Sequence, residues 1–152
     1  MSPRLDFAVV LPVYYNEESL LPAYEKLKAV LRELQPRWRG GLLYVDDGSG
    51  DGSFGVLEKI HALGEVPVTV VKLSRNFGQV MAIRAGLAHC EASAAIVMSA
   101  DGQEPVELIP QMLAKHFEEQ HEVVVCTRAD REEGAYRTWT SRLFYATMRK
   151  LC

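Results

Sequence analysis

What most constrains this chain is an alternation of two kinds of segment. Short runs of β-branched and apolar residues are each followed by a stretch whose apolar residues recur every three or four positions. Residues 7–11, Phe-Ala-Val-Val-Leu, read as a buried strand. Leu20, Tyr24, Leu27, Leu31 and Leu34 then repeat at helical steps, so residues 17–35 are expected to form a helix with one apolar stripe, N-capped by Asn16. Gly40-Gly41 breaks the pattern, and residues 42–45 read as a second strand. Val56, Leu57, Ile60 and Leu63 form the inward face of a short helix, and residues 66–73 a third strand. Residues 78–89 are expected to be a helix with small residues on one side, and residues 94–98 a fourth strand. Pro105 suits the first turn of a helix burying Leu108, Ile109, Met112, Leu113 and Phe117, which Pro110 should kink or delay. Residues 122–126 read as a fifth strand with Cys126 buried in it, and residues 138–151 as a last helix with Leu143, Phe144, Met148 and Leu151 inward. Strands alternating with helices predict the α/β class: a mostly parallel sheet with helices on both faces.

Composition narrows the function. A chain of 152 residues, 48% hydrophobic and 24% charged, supports one globular core and excludes bulk disorder. A net charge of −3 argues against a nucleic-acid partner. Cys90, Cys126 and Cys152 are widely spaced and odd in number, which fits a reducing, cytoplasmic setting rather than a disulfide or zinc framework. The first apolar run stops at Pro12, too soon for a signal peptide, and no apolar run is long enough to span a membrane.

In a parallel α/β sheet, ligands bind beyond the carboxyl ends of the strands. The unusual polar residues cluster at those exits: residues 12–17, 46–53, 74–79, 99–105 and 127–133. The second exit contains Gly50-Asp51-Gly52-Ser53-Phe54-Gly55, a literal G-x-G-x-x-G. A dinucleotide site is rejected, because Asp51 would face the pyrophosphate and no acid occurs from Val66 to Cys90, where a ribose partner is needed. The glycines suit a tight turn, with Asp51 capping the next helix. That turn leaves the adjacent carboxylates of Asp46 and Asp47 unexplained; they can accept hydrogen bonds from a base or a ribose. At the fourth exit, Asp101 and Gln103 are either two hard oxygen ligands for Mg²⁺ or Mn²⁺, or a turn and a helix cap. At the fifth, Arg128 and Arg131 either clamp phosphate or pair with Asp130, Glu132 and Glu133.

Taken together, the exits resemble glycosyltransferase family 2 of the GT-A fold. Pro12-Val13-Tyr14-Tyr15-Asn16-Glu17 is similar to the family's opening motif, and Asp46-Asp47-Gly48-Ser49 with Asp51-Gly52-Ser53 to its nucleotide-binding motif. Ser74-Arg75-Asn76-Phe77-Gly78-Gln79 and Ser99-Ala100-Asp101-Gly102-Gln103-Glu104-Pro105 resemble the branch that glycosylates polyprenyl phosphates. The resemblance runs from residue 7 to about residue 151. It implies a three-layer GT-A sandwich forming one nucleotide-sugar-binding domain over residues 1–152. By the same resemblance, Pro12, Tyr14, Tyr15 and Glu17 would frame the base and ribose, and Asp46 and Asp47 would bind the nucleoside. Arg75, Asn76 and Gln79 would line the nucleotide side of the cleft. Asp101 would be the metal-binding Asp, with Gln103 as second ligand to Mg²⁺ or Mn²⁺, and Arg128 and Arg131 would meet the phosphates. Ser99 stands where the family usually has an Asp, so it can bond a ribose or a metal-bound water but adds no charge.

The implied reaction is inverting transfer of a sugar from a nucleotide-diphosphate sugar to a lipid phosphate at a membrane surface. Members of this branch continue well past the position of Cys152, so the chain is expected to be a donor-binding part of a longer, membrane-associated transferase. The other reading is a non-catalytic nucleotide-sugar-binding module. Apolar faces left uncovered by an incomplete sheet predict self-association.

Overall fold

Residues 4–127 of the chain are described by a computed structural model. Strand β1, Phe7–Val13, has no polar side chain and is buried along nearly its whole length. A strand with that pattern needs neighbours on both edges and cover on both faces. It pairs in parallel with β2, Gly40–Asp46, on one edge and with β4, Ala94–Val97, on the other. Strand β3, Val68–Lys72, extends the sheet beyond β2, giving the parallel order β3-β2-β1-β4.

Alternate residues face opposite layers. Phe7, Val9, Leu11 and Val13 join Leu42, Tyr44 and Ile96 in the main core, with Leu20, Tyr24, Leu27 and Leu31 of helix α1, Glu17–Leu34. Helix α2, Ser53–Leu63, adds Leu57 and Ile60 to the same layer, and helix α4, Ile109–Phe117, adds Ile109 and Leu113. Helix α3, Gln79–His89, covers the other face. It approaches closely because Gly86 has no side chain: a Cβ there would lie 2.5 Å from Val10 Cγ1. The α/β sandwich expected from the alternation is therefore present.

Three local expectations change, and for Pro110 one of the two expected outcomes is found. Asn16 does occupy the α1 N-cap position, but its side chain makes no capping hydrogen bond; Oδ1 accepts the Tyr14 N–H instead. Leu63 is 53% exposed, because α2 ends there, at the left-handed Gly64. Residues 122–126 do not form the fifth strand: they have no ladder partner among the described residues, and Val123 and Val125 are exposed. β propensity expresses itself only against a neighbouring strand, so Cys126 is likewise exposed rather than buried. Pro110 acts as a delay: a 3₁₀ turn, Val106–Leu108, precedes α4, and Pro110 sits in the first turn of that helix. The helix expected over residues 138–151 lies outside the described residues.

One buried hydroxyl works against stability. Tyr44 is 1% exposed and its Oη has no hydrogen-bond partner among the described residues. Burial, aided by the nearby Tyr24, pushes its pKa above the usual tyrosine range. A buried polar group without a partner carries a desolvation penalty of about 1–3 kcal/mol. Tyr44→Phe is therefore expected to leave the urea unfolding midpoint unchanged or raise it, the reverse of an ordinary buried tyrosine. A fall of more than about 1 kcal/mol would show that the hydroxyl is bonded.

Candidate functional site

Strand order determines where a ligand cleft forms. From β1 the chain moves to β2 and then β3 on one side, and β4 inserts on the other, so the topological switch lies between β1 and β4. Beyond the carboxyl ends of those two strands lies a cleft of about 270 Å³. Pro12, Val13, Tyr14 and Asn16 come to it from β1 and its exit, Asp47 from the exit of β2, and Ser99 from the exit of β4. Asn76, Gly78, Gln79 and Ala82 come from the start of α3. A larger depression of about 950 Å³ opens at the opposite, N-terminal edge of the strands, between Leu5, Pro67, Thr69 and Cys90. It gathers none of the exit residues, and parallel sheets do not place their ligands there.

The exit carboxylates are largely bonded to backbone. Asp47, 2% exposed, accepts the N–H groups of Phe77 at 2.8 Å and Gly78 at 2.9 Å, which ties the exit of β2 to that of β3. Gly48 fits against this junction with φ +68°; a Cβ there would meet the Arg75 backbone at 2.5 Å. The Glu17 carboxylate accepts the Gly52 N–H at 2.8 Å, and the Asp51 carboxylate accepts those of Ser53 and Glu17. Glu104 accepts the Ser99 N–H at 2.8 Å, and Asp101 accepts that of Gln103 at 3.0 Å.

Asp46 differs. It is fully buried, Oδ1 accepts the Ser49 N–H, and Oδ2 has no partner among the described residues. Such an oxygen is an acceptor waiting for a donor. Tyr15 also stands apart, with a left-handed φ of 55°. That backbone conformation costs a non-glycine residue about 1–3 kcal/mol and persists only where its surroundings enforce it. Its N–H bonds Ser49 Oγ, and its ring meets Tyr14 edge to face at 4.7 Å.

Of the residues singled out from the sequence, Pro12, Tyr14, Asp47, Asn76, Gln79 and Ser99 line the cleft together. Tyr15, Glu17 and Asp46 are not in its lining: Tyr15 and Glu17 are exposed, and Asp46 is buried. Arg75 is exposed, its guanidinium 4.6 Å over the Phe77 ring. Asp101 and Gln103 are exposed at the β4 exit, away from the cleft lining. Arg128 and Arg131 lie outside the described residues. Ser49 and Ser53, quoted within the second exit's motif, were given no role from the sequence, and Ala82 was passed over. The two hydroxyls accept the Tyr15 and Asn16 N–H groups, and Ala82 is fully buried at the cleft wall. Spacing gave no sign of the serines, because their partners are 34 and 37 residues away.

Burial tends to raise the Asp51 pKa, but hydrogen bonds from the Ser53 hydroxyl and from the Ser53 and Glu17 backbone hold it below the usual aspartate value. A depressed carboxylate contributes stability above the unfolded-state pKa and loses it as pH falls through its own lowered value. Asp51→Asn is therefore expected to flatten part of the acid limb of a stability-versus-pH curve and to leave the limb above pH ~5 unchanged. Superimposable acid limbs in urea titrations would show that these bonds do not favour the ionised form.

Comparison with known proteins follows the same lines. Residues 8–151 match the family described as Glycosyl transferase family 2. An uncharacterized glycosyltransferase of Bacillus subtilis, YkcC, is 36% identical over 146 residues, 95% of this chain and 44% of that protein. The undecaprenyl-phosphate 4-deoxy-4-formamido-L-arabinose transferase of Pseudomonas syringae is 36% identical over 136 residues, 90% of this chain and 40% of its own length. The chain thus spans less than half the length of these relatives. In fold it resembles the mannosyltransferase PcManGT of Pyrobaculum calidifontis, solved with GDP-Man and Mn²⁺. That match has a TM-score of 0.64 and 18% identity, covering 86% of this chain and 38% of that one. Among the described residues no helix is long and apolar enough to cross a membrane. A parallel sheet with its cleft at the β1–β4 switch, and a family match over nearly all of its length, establish that this chain belongs to glycosyl transferase family 2 and has the GT-A fold.

Proposed function

We propose that the chain binds the donor in a transferase that moves a sugar, with inversion, from a nucleotide-diphosphate sugar to a polyprenyl phosphate. The observation that carries this reading is the switch-point cleft. Its wall combines an aromatic ring (Tyr14), side-chain amides (Asn76, Gln79), a carboxylate (Asp47) and the N-terminus of α3. The ring suits a base, the amides and the carboxylate suit a ribose, and the helix N-terminus, which favours anions, suits a diphosphate. The similarity to undecaprenyl-phosphate sugar transferases supports the acceptor class.

In this reading Pro12, Tyr14 and Tyr15 hold the nucleobase, and the unpartnered Asp46 Oδ2 accepts a ring N–H after the side chains that now cover it yield. Asp47 and Ser99 meet the ribose, while Asn76, Gln79 and Arg75 flank the nucleotide. Arg128 and Arg131 take the diphosphate or the acceptor phosphate. Asp101 and Gln103 fit a divalent cation: both are exposed hard-oxygen donors, and the Gln103 N–H occupies only one Asp101 oxygen. Among the described residues no group of three or more His, Cys, Asp or Glu side chains is placed to hold a metal ion, so this pair depends on substrate and water to complete a coordination shell. Mg²⁺ or Mn²⁺ held there would neutralise charge developing on the leaving diphosphate. A lipid phosphate is already ionised near neutrality and needs positioning more than it needs a base. A membrane surface follows from that acceptor. Exposed Val80, Met81 and Leu87 on α3 provide the surface for self-association.

A thermal-shift panel of UDP-, GDP- and dTDP-sugars with and without Mn²⁺ tests the donor site. One nucleotide class is expected to stabilise the chain, by about 2.7 kcal/mol at a hundredfold excess over Kd. Asp46→Asn should abolish that shift while leaving the ligand-free protein folded, because the amide oxygen can still accept the Ser49 N–H but the –NH2 group cannot accept a ring N–H. Asp101→Ala should remove only the Mn²⁺-dependent part of the shift. Absence of any nucleotide shift would overturn the donor reading. Binding without transfer to added polyprenyl phosphate would favour the binding-module alternative for this chain.

A further inference from the structure

The exit of β4 carries its polar side chains on a loop with two limbs. The first limb is fixed from below: the Met98 N–H donates to the Val10 carbonyl at 3.1 Å, and the Ala100 methyl is buried in the main core. The chain returns to that core at Val106. Between Ala100 and Val106 exposure alternates: Asp101, Gln103 and Pro105 are exposed, whereas Gly102 and Glu104 are half-buried. Asp101 and Gln103 therefore project from the loop together. Gly102 makes the bend with a left-handed φ of 71°, close against α1, where a Cβ would stand 3.4 Å from Ala23 Cβ.

Among the described residues no backbone–backbone hydrogen bond closes residues 99–104 on themselves. Two bonds to side chains do so instead. Asp101 Oδ1 accepts the Gln103 N–H at 3.0 Å, a bond spanning two residues that governs only the local turn. Glu104 Oε2 accepts the Ser99 N–H at 2.8 Å, a bond spanning five residues that ties the second limb to the first. Its acceptor is a carboxylate, which makes it the stronger, charge-assisted kind. Glu104 does not serve the turn ahead of it, because the 3₁₀ turn Val106–Leu108 has no side-chain cap. It is absent from the cleft lining as well. Its carboxylate is committed backwards, to the loop that bears Asp101 and Gln103.

Two oxygen ligands act on one cation only when their separation matches its coordination shell. A site with few protein ligands gains most from having that separation fixed in advance. We propose that Glu104 is a positioning residue for the divalent cation: it binds no metal, and by holding the Ser99 N–H it keeps the two limbs, and with them Asp101 and Gln103, at one separation. This rests on the metal reading of Asp101 and Gln103 given above.

The test compares Glu104→Ala, Glu104→Gln and Asp101→Ala with the wild-type chain. Each is titrated with Mn²⁺ in the presence of equimolar UDP or GDP, and protein-bound Mn²⁺ is read from the relaxation of water protons against a nucleotide-only blank. Hydrogen exchange at the Ser99 amide is followed without any ligand. Glu104→Ala is expected to weaken Mn²⁺ binding by about tenfold, the loss of one charge-assisted hydrogen bond. It should also quicken Ser99 exchange by on the order of tenfold. Glu104→Gln still offers an oxygen to the Ser99 N–H, so it should keep slow exchange and most of the Mn²⁺ affinity. Asp101→Ala should abolish Mn²⁺ binding and leave Ser99 exchange slow. If Glu104→Gln loses as much Mn²⁺ affinity as Glu104→Ala, the Glu104 charge itself meets the metal, which overturns the proposal. Unchanged Mn²⁺ affinity or unchanged Ser99 exchange in Glu104→Ala overturns it too, and the metal reading then stands on the difference between wild type and Asp101→Ala. A wild-type chain that binds no Mn²⁺ with either nucleotide overturns the metal reading and the proposal together.

Discussion

Burial of β1 on both faces is the constraint to which the rest of the structure answers. Seven residues without one polar side chain require a strand on each edge and a helix layer on each side. A helix must follow β1 to reach a parallel neighbour, and the chain returns on the other edge only at β4. The place where those two directions part is the cleft. Its position is thus a consequence of how an apolar strand is covered, before any residue is chosen for chemistry.

Chemistry at the cleft depends on loops, and loops at strand exits have unpaired backbone N–H groups to satisfy. Here carboxylates do most of that work: Glu17 for Gly52, Asp47 for Phe77 and Gly78, Asp51 for Ser53 and Glu104 for Ser99. A rim that looks, in the sequence, like a row of ligand-binding acids is to a large extent a set of braces. Carboxylate oxygens have more than one lone pair, so a brace such as Asp47 still has capacity to face a ligand. The unpartnered oxygen of Asp46 contrasts with all of these. Leaving a polar atom buried and unbonded lowers stability, a cost proteins bear most readily at functional sites.

The helices of the main layer were legible because their stripes are strong. Leu20, Tyr24, Leu27, Leu31 and Leu34 are all buried on α1, and Ile109 and Leu113 on α4. The run over residues 122–126 has equal β character and forms no strand among the described residues, since pairing is a property of two segments. For the site, the resemblance of the exit motifs to the family pointed to Pro12, Tyr14, Asp47, Asn76, Gln79 and Ser99, which line the cleft, and equally to Tyr15, Glu17, Asp46 and Arg75, which do not. Their division of labour was not legible. Glu17 and Gly52 are 35 positions apart, and no local pattern signals that one completes the other.

The sequence by itself determined the α/β class, the parallel sheet and the family, because hydrophobic periodicity and the exit motifs are local properties of the chain. Only the tertiary structure decided which exits converge, which acids act as braces, and that Asp46, alone among the described exit acids, buries an unpartnered oxygen. Those outcomes depend on strand order and on hydrogen bonds between segments thirty or more residues apart, and free energy of that kind exists only once the segments are packed together.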